Sequence, residues 1–418
     1  MANAVSPRLA EAIEKYTEEQ YPYLLSLHYD YHAHPELSLE EHRTAARQAQ
    51  AYRDAGCDAV DFFATTGVAA IIRNGDGPVL LYRNDHDALP IHEENEVPYR
   101  STVPGVGHLC GHSMVPAISV GVARHLLRWK EHWSGTVVLV SQLGEEGANG
   151  ARRMLDDGLY TRFPRPELAL AWHCSPTLPG GTVGIRRGPA MALTAHLDIR
   201  VHGQGGHGGY PSTTKDPVVL AAAIIMRLQT IVSREVNPLE PAVVTVGSFV
   251  TNTQKGSVIP SEVMLKLTVR CFSYNVYQQI TEAIARICRG EAIASGLPEH
   301  LFPEIMPFPY YIEPVINDEV LCRRLEGIFT HYLGREQVRE EPAYTFGEDF
   351  AHYADGGNIP IAFLWLGAVD PAKFDADGHP LEYLEPLHSP RFLPHPPTTL
   401  RTGVNAMTVA ILNLLQRP

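Results

Sequence analysis

The stretch GTVVLVSQLGEEGANGARRML, residues 135–155, joins an unbroken apolar run to two adjacent carboxylates and then to a helical pattern. A short run of β-branched and aliphatic residues reads as a strand buried on both faces of a parallel sheet. Glu145 and Glu146 follow where that strand should end. Carboxylates in such a place are costly unless cations or solvent face them. Two readings follow. The pair is an acidic first turn of the next helix, favoured by its dipole. Alternatively, Glu146 coordinates a metal ion while Glu145 takes a proton from the water that the ion activates.

The same rhythm extends outward from this segment. GVAAIIRN (67–74) and GPVLLYRND (77–85) precede it, with a helix expected near 113–130, and ELALAWH (167–173) follows a helix expected near 148–157. Alternation of this kind indicates βαβ units on a mostly parallel sheet, an α/β fold whose ligands collect at the carboxyl ends of the strands. Asp85 and Asp87 stand at one such end, the two glutamates at a second and His173 at a third.

The pattern changes at residue 191. TAHLDIRVHG (194–203), a helix at 216–236, AVVTVGSFV (242–250), EVMLKLTVRCF (262–272) and a helix near 276–295 suggest a separate α+β module over 191–305. IPIAFLWLG (359–367), a Pro-rich loop and a C-terminal helix then complete the first domain, so the expected divisions are 1–190, 191–305 and 306–418.

At 418 residues the chain exceeds what one hydrophobic core organises. Its net charge of −13 disfavours non-specific attraction to nucleic acid or anionic membranes, which leaves a small molecule as the expected partner. The N-terminal segment reads as an acidic amphipathic helix and not as a secretory signal, and no apolar stretch long enough to span a membrane is expected. Six widely spaced cysteines lack the density of a disulfide scaffold and fit a reducing cytoplasm.

In GVGHLCGHSMVPAIS (105–119), Cys110 and His112 have one residue between them. On a loop their side chains can converge on one ion, although a packed free thiol is the default reading of such a cysteine. His173 and His388, the latter in EPLHSPRF, each read alone as ordinary core or loop histidines. Together, Cys110, His112, Glu146, His173 and His388 suffice for two ions sharing a bridging water.

Further segments turn this pattern into a resemblance. YHAHPELSLEEHRTA (31–45), YRNDHDALPI (82–91), HLCGH (108–112), QLGEEGANGARRMLDDG (142–158), AWHCSPTLPGGTVGIRRGPAM (171–191), GQGGHGGYPSTTKDP (203–217), SVIPSEV (257–263), GEDFAHY (347–353) and PLHSPRF (386–392) occur in this order. The chain resembles the metallo-amidohydrolase and metallopeptidase family of hippurate hydrolase, indole-acetyl-amino-acid hydrolases, aminoacylase and carboxypeptidase G. The resemblance implies a zinc-peptidase-like catalytic domain interrupted by a lid and dimerisation domain. It implies that Cys110, His112, Glu146, His173 and His388 bind one or two divalent ions per subunit, zinc or manganese foremost and cobalt or nickel also accepted. It makes Glu145 the general acid/base, Asp87 the carboxylate that orients a ligand histidine, and His207 a donor to the substrate carbonyl, often in the partner subunit's site. The expected reaction is hydrolysis of the amide of an N-acyl amino acid or similar small conjugate carrying a carboxylate, in a homodimer or larger homo-oligomer.

Three positions depart from the family's usual pattern. Ser113 stands where aspartate follows C-G-H, Ser257 where asparagine precedes V-I-P, and His86 where methionine is usual in D-x-D-A-L-P, the last expected to be a surface imidazole. Weaker amide-reading groups keep open an alternative on the same scaffold, an aminohydrolase that displaces ammonia from an aromatic amine of the nitroanthranilate type. A catalytically inactive binding protein is the alternative from another class; the intact set of clustered charge argues against it, because decay should remove that first. No G-x-S-x-G elbow supports a serine hydrolase, and GQGGHGG lacks the spacing of a dinucleotide loop, so no organic cofactor site is read.

Overall fold

The computed structural model describes residues 5–147, 149–307, 311–376 and 378–417. It divides into two compact units. The first is formed by the chain up to Ala190, by Ile316–Pro342 and by the chain from Asp349, and the second by Met191–Val315 and Ala343–Glu348.

The first unit is built on an eight-stranded sheet. Its strands are β1 (Ala59–Phe63), β2 (Gly67–Asn74), β3 (Val79–Asp85), β4 (Gly135–Gln142), β5 (Leu168–Pro179), β6 (Val183–Ile185), β7 (Val338–Glu340) and β8 (Ile361–Val369). They lie in the order β1-β2-β4-β3-β5-β8-β6-β7. The centre, β4-β3-β5-β8, is parallel throughout, while β1, β2 and the β8–β6 pair are antiparallel. Continuous burial along β4 and most of β3 explains why their sequences do not alternate. The register pairs Asp85 with Gln142 and Arg83 with Ala171, so the carboxyl ends of β3 and β4 finish side by side.

Helices α1 (Pro7–Ala33), α2 (His42–Ala55), α3 (Met114–Arg128) and α4 (Pro396–Leu414) pack in one core with the sheet. Ser6 caps α1 by accepting the Leu9 N–H at 3.3 Å, with Pro7 at the first helical position. Nearly every residue from Met114 to Leu126 is buried, which accounts for the apolar character of α3 all the way round. The helix expected near 148–157 runs Gly150–Asp156, with Ala148 outside the described residues. One expectation needs correction. His173 lies inside β5, not after it, because that strand continues to Pro179 and pairs with β8 beyond Trp365.

In the second unit, Ala242–Thr251, Glu262–Cys271, Leu193–His202 and Glu304–Pro307 form an antiparallel sheet in that order. Helices Pro217–Thr230 and Tyr274–Ala294 contribute Leu220, Ile224, Ile280 and Ile284 to a core with Ile199, Val201 and Leu265. The unit extends past the expected boundary at 305. Glu304–Pro307 pairs with Leu193–His202, and Thr194 and Ile312 exchange backbone bonds of 3.0 and 2.9 Å, while Ala192 N–H bonds Tyr344 O at 3.1 Å. A second correction concerns the membrane expectation. The helical stretch Pro217–Glu235 is long and apolar enough to cross a membrane by length and composition, and about a third of it is buried, including Leu220, Ile224, Leu228 and Ile231 in the core of this unit.

Gly111, between Cys110 and His112, has φ +91°, and a Cβ there would come 2.7 Å from the Cys174 Cβ. Left-handed backbone strain and overpacking together predict that Gly111→Ala loses about 2–4 kcal/mol. The check is the chemical-unfolding midpoint of the metal-free protein, and an unchanged midpoint would contradict this packing.

Candidate metal centre

Three overlapping sets of donor atoms lie within 4.8 Å of one another: Cys110, His112 and His173; Cys110, Glu146 and His388; and His112, Glu145 and Glu146. All five residues singled out as ligands, and Glu145 beside them, are thus brought to one place. Cys110 Sγ is 3.4 Å from His173 Nε2, and His388 Nε2 is 3.2 Å from Glu146 Oε1.

The rings of His112 and His173 are aimed by contacts on their far sides. His112 Nδ1 lies 3.1 Å from the Asp87 carbonyl oxygen and 3.4 Å from Asp87 Oδ1, which turns Nε2 inward. His173 Nδ1 lies 2.9 Å from the Cys174 carbonyl, which keeps the proton there and leaves the Nε2 lone pair facing Cys110. His388 sits in the left-handed region at φ 65° and donates its backbone N–H to Leu109 O at 2.8 Å, so the late loop is tied to the cysteine loop. The turn carrying both glutamates hangs from two buried carboxylates. Asp87 Oδ2 accepts the Glu146 N–H at 2.9 Å and the Ser38 hydroxyl at 2.7 Å. Glu41 Oε1 accepts the Gly144 N–H at 2.8 Å, and its Oε2 the Thr66 hydroxyl at 2.6 Å. Gly150 closes the turn, since a Cβ there would lie 1.6 Å from Leu143 O.

The residues fit a divalent ion. Among the described residues, His112 Nε2 is buried without a hydrogen-bond partner, and Glu146 Oε1 has the His388 ring at 3.2 Å but no well-formed hydrogen bond, a cost that a cation beside them would remove. A thiolate, imidazoles and a carboxylate suit zinc and similar transition ions. Burial, reinforced by the carboxylates of Glu146, Glu145 and Asp85, pushes the Cys110 thiol well up, so without a cation it keeps its proton. Burial alone would lower His112, but Asp85, Asp87 and Glu146 outweigh it and lift the imidazole to about 10. His173 is pushed down to about 4 by burial against the pull of Asp85. Burial would raise Asp87, yet contacts with His112, Ser38 and the Glu146 amide hold it well below the usual carboxylate range.

Sequence reasoning missed the supporting layer. Arg83 is fully buried, and its guanidinium donates to Asp85, to Gln142 Oε1 at 3.0 Å and to Asp349 Oδ1 at 3.3 Å. Glu41, Ser38 and Asp349 belong to segments that carried the resemblance, yet nothing in their local pattern marks them as supports of the centre. His86 is corrected: it is fully buried, not a surface imidazole, with Glu41, Asp87 and Asp85 as its charged neighbours. Ser113 is also buried, with its Oγ 3.1 Å from His32 Nδ1. In the second unit, His207 is exposed on a short strand paired with Val258–Ile259, and Gly209 N–H donates to its Nδ1 at 2.9 Å, which puts the proton of the neutral ring on Nε2.

Comparisons with known proteins identify the family. Residues 81–390 match Peptidase family M20/M25/M40. The chain is similar to an N-acetylcysteine deacetylase of Bacillus subtilis (strain 168), at 35% identity over 82% of this chain and 88% of the relative. It is similar to an N-acetyldiaminopimelate deacetylase of Limosilactobacillus reuteri, at 29% identity over 94% of this chain and 97% of the other. Among solved structures, the Bacillus subtilis YXEP protein, described as a dinuclear metal-binding peptidase, aligns with a TM-score of 0.78 at 28% identity, covering 95% of this chain and 99% of that one.

An ion held by Cys110 and His112 would have to expel the protons that burial and the neighbouring carboxylates keep on them in the metal-free protein. In the metal-free state the raised His112 pKa stabilises the fold fully below about 6.5, a contribution lost as pH rises through about 10. Affinity for Zn²⁺ should therefore strengthen as pH rises, by about tenfold per unit for each proton released. Chelator-competition titrations between about pH 6.5 and 8.5 check this, and a pH-independent affinity would contradict protonated Cys110 and His112 in the metal-free protein.

Proposed function

From the premise that the chain belongs to peptidase family M20/M25/M40 and is a metal-dependent amidohydrolase acting on a small molecule, we propose that it hydrolyses the amide of N-acyl amino acids, with N-acetyl amino acids the first class to test. The observation that carries this reading is the convergence of Cys110, His112, Glu146, His173 and His388 around Glu145. Cys110, His112, Glu146, His173 and His388 would hold one or two divalent ions, which supply carbonyl polarisation and water activation when bound.

The remaining work falls to side chains of this protein. Glu145 takes the proton of the attacking water and delivers it to the departing nitrogen, which must leave as a neutral amine. Its 9% exposure supports that role, because a nearly buried carboxylate does not share the proton with bulk solvent. Asp87 keeps the His112 ring turned inward. His207, with its proton on Nε2, donates to the oxygen that gains charge as the amide carbon becomes tetrahedral, and loss of such a donor typically costs ~10²–10³ in rate.

The second unit is proposed as a lid and dimerisation domain. Support comes from its edge strand Ala242–Thr251, where Phe249 and Val250 are exposed, and from exposed Val219 and Met226 on its helix Pro217–Thr230. Free thiols at all six cysteines support a reducing, cytoplasmic setting.

Glu145→Gln should bind metal as the parent does yet lose at least ~10² in kcat; near-parental turnover would remove Glu145 from the proton-transfer role. Metal-loaded protein should release amine and carboxylate from N-acyl amino acids in a panel that also contains dipeptides and amino-substituted benzoates. Ammonia released without a new carboxylate would instead favour displacement at an aromatic amine. Val250→Asp should lower the light-scattering mass toward the 46.1 kDa of one chain, and a parent already at that mass would defeat the dimer.

A further inference from the structure

Asp85 has no role in the proposed reaction, yet its surroundings single it out. It ends β3, is fully buried, and is held from behind by Arg83 through Oδ2. Its other oxygen, Oδ1, has no hydrogen-bond partner among the described residues and lies 3.6 Å from His112 Nε2, itself a buried atom without a partner. Two buried atoms without hydrogen-bond partners, a carboxylate oxygen and an imidazole nitrogen that offers a lone pair once it has lost its proton, face each other 3.6 Å apart, an arrangement that a cation beside both would satisfy.

The groups behind Asp85 sharpen this. Arg83 lies between two buried carboxylates, donating to Asp85 on one side and to Asp349 Oδ1 at 3.3 Å on the other. Asp349 is fixed in turn by the Gln142 amide at 2.7 Å and the Ala151 N–H at 2.9 Å. One guanidinium cannot neutralise two carboxylates, so the group keeps an excess of negative charge, and its free oxygen is the one turned toward the ligand cluster. Arg83 also donates to Gln142 Oε1 at 3.0 Å, which bars the guanidinium from swinging away.

We propose that Asp85 is a further determinant of metal binding, an anionic oxygen presented to the cation beside His112 Nε2, and that Arg83 and Asp349 are the positioning residues that hold it there. The charge it supplies adds to those of Cys110 and Glu146. The inference rests on the metal-centre reading above, but its test needs no substrate.

The probe is Co²⁺, followed by its visible absorption and by chelator competition, in the parent and in Asp85→Asn, Asp349→Asn and the double variant. Asn keeps the shape of the side chain and removes the charge. Asp85→Asn should weaken Co²⁺ binding by ~10–100-fold and alter the absorption bands, a size typical of groups that support metal ligands. Asp349→Asn should weaken it less, and the double variant should bind no worse than Asp85→Asn alone, because Asp349 acts through Arg83 on Asp85. Parental affinity and spectrum in Asp85→Asn would overturn the proposal, as would losses that simply add in the double variant. If Asp85→Asn does not fold, Asp349→Asn decides alone: an unchanged Co²⁺ affinity and spectrum would overturn the proposal and a weakened affinity with altered bands would support it. A parent that binds no Co²⁺ would defeat this proposal and the metal-centre reading together, whereas a parent that binds Co²⁺ but cleaves no amide would defeat only the substrate assignment.

Discussion

The side chain and carbonyl of Asp87 hold the centre together. Its Oδ2 takes the Glu146 N–H and the Ser38 hydroxyl, while its Oδ1 and its carbonyl oxygen face His112 Nδ1. A single residue, two positions past the end of β3, thereby fixes the turn after β4 and the loop before α3. This is available only because β3 and β4 are parallel neighbours in register, which brings both carboxyl ends to one level of the sheet. An antiparallel pairing of the same two strands would send the glutamates and Asp87 to opposite ends. The sheet topology is thus a condition of the chemistry.

That dependence explains what was legible in the sequence. Strand β2 matches its apolar run residue for residue, and α3 falls inside the expected span, because buried parallel strands and an all-apolar helix leave unbroken patterns in composition. The metal-type residues were legible through segments spread from Cys110 to His388, and a geometry that groups all of them is a demanding outcome for side chains so distant in sequence. The supporting layer was not legible. Glu41 lies on the approach to α2 and looks like an exposed acidic residue, yet it is fully buried under the Gly144 amide. His86 lies between two aspartates, a local pattern that favours solvent, and only the packing around β3 encloses it. Burial of a polar group is decided by partners far away in sequence, so periodicity carries no signal for it.

The boundary of the second unit teaches the same point. The sequence just past residue 305 lacks the alternation that would assign it to a sheet, and it belongs to that unit through pairing with Leu193–His202. Similarly, Pro217–Glu235 has the length and composition of a spanning helix, while its buried side chains join a core with sheet residues such as Ile199 and Leu265. Composition alone cannot separate the two roles, because both require an apolar face.

The charge around the centre follows one logic. Asp85, Asp87, Glu41 and Asp349 are all buried, and Glu145 nearly so, while Arg83 is the fully buried guanidinium among them. Burying several carboxylates against one permanent cation would be strongly unfavourable without another source of positive charge. In the metal-free protein, the lifted pKa of His112 supplies one such charge by holding a proton. A divalent ion would supply more, and Cys110, whose thiol is pushed up by burial and by these same carboxylates, would have to lose its proton to hold it. The acidic surroundings that make the metal-free centre retain protons are therefore the same ones that favour a divalent cation in their place.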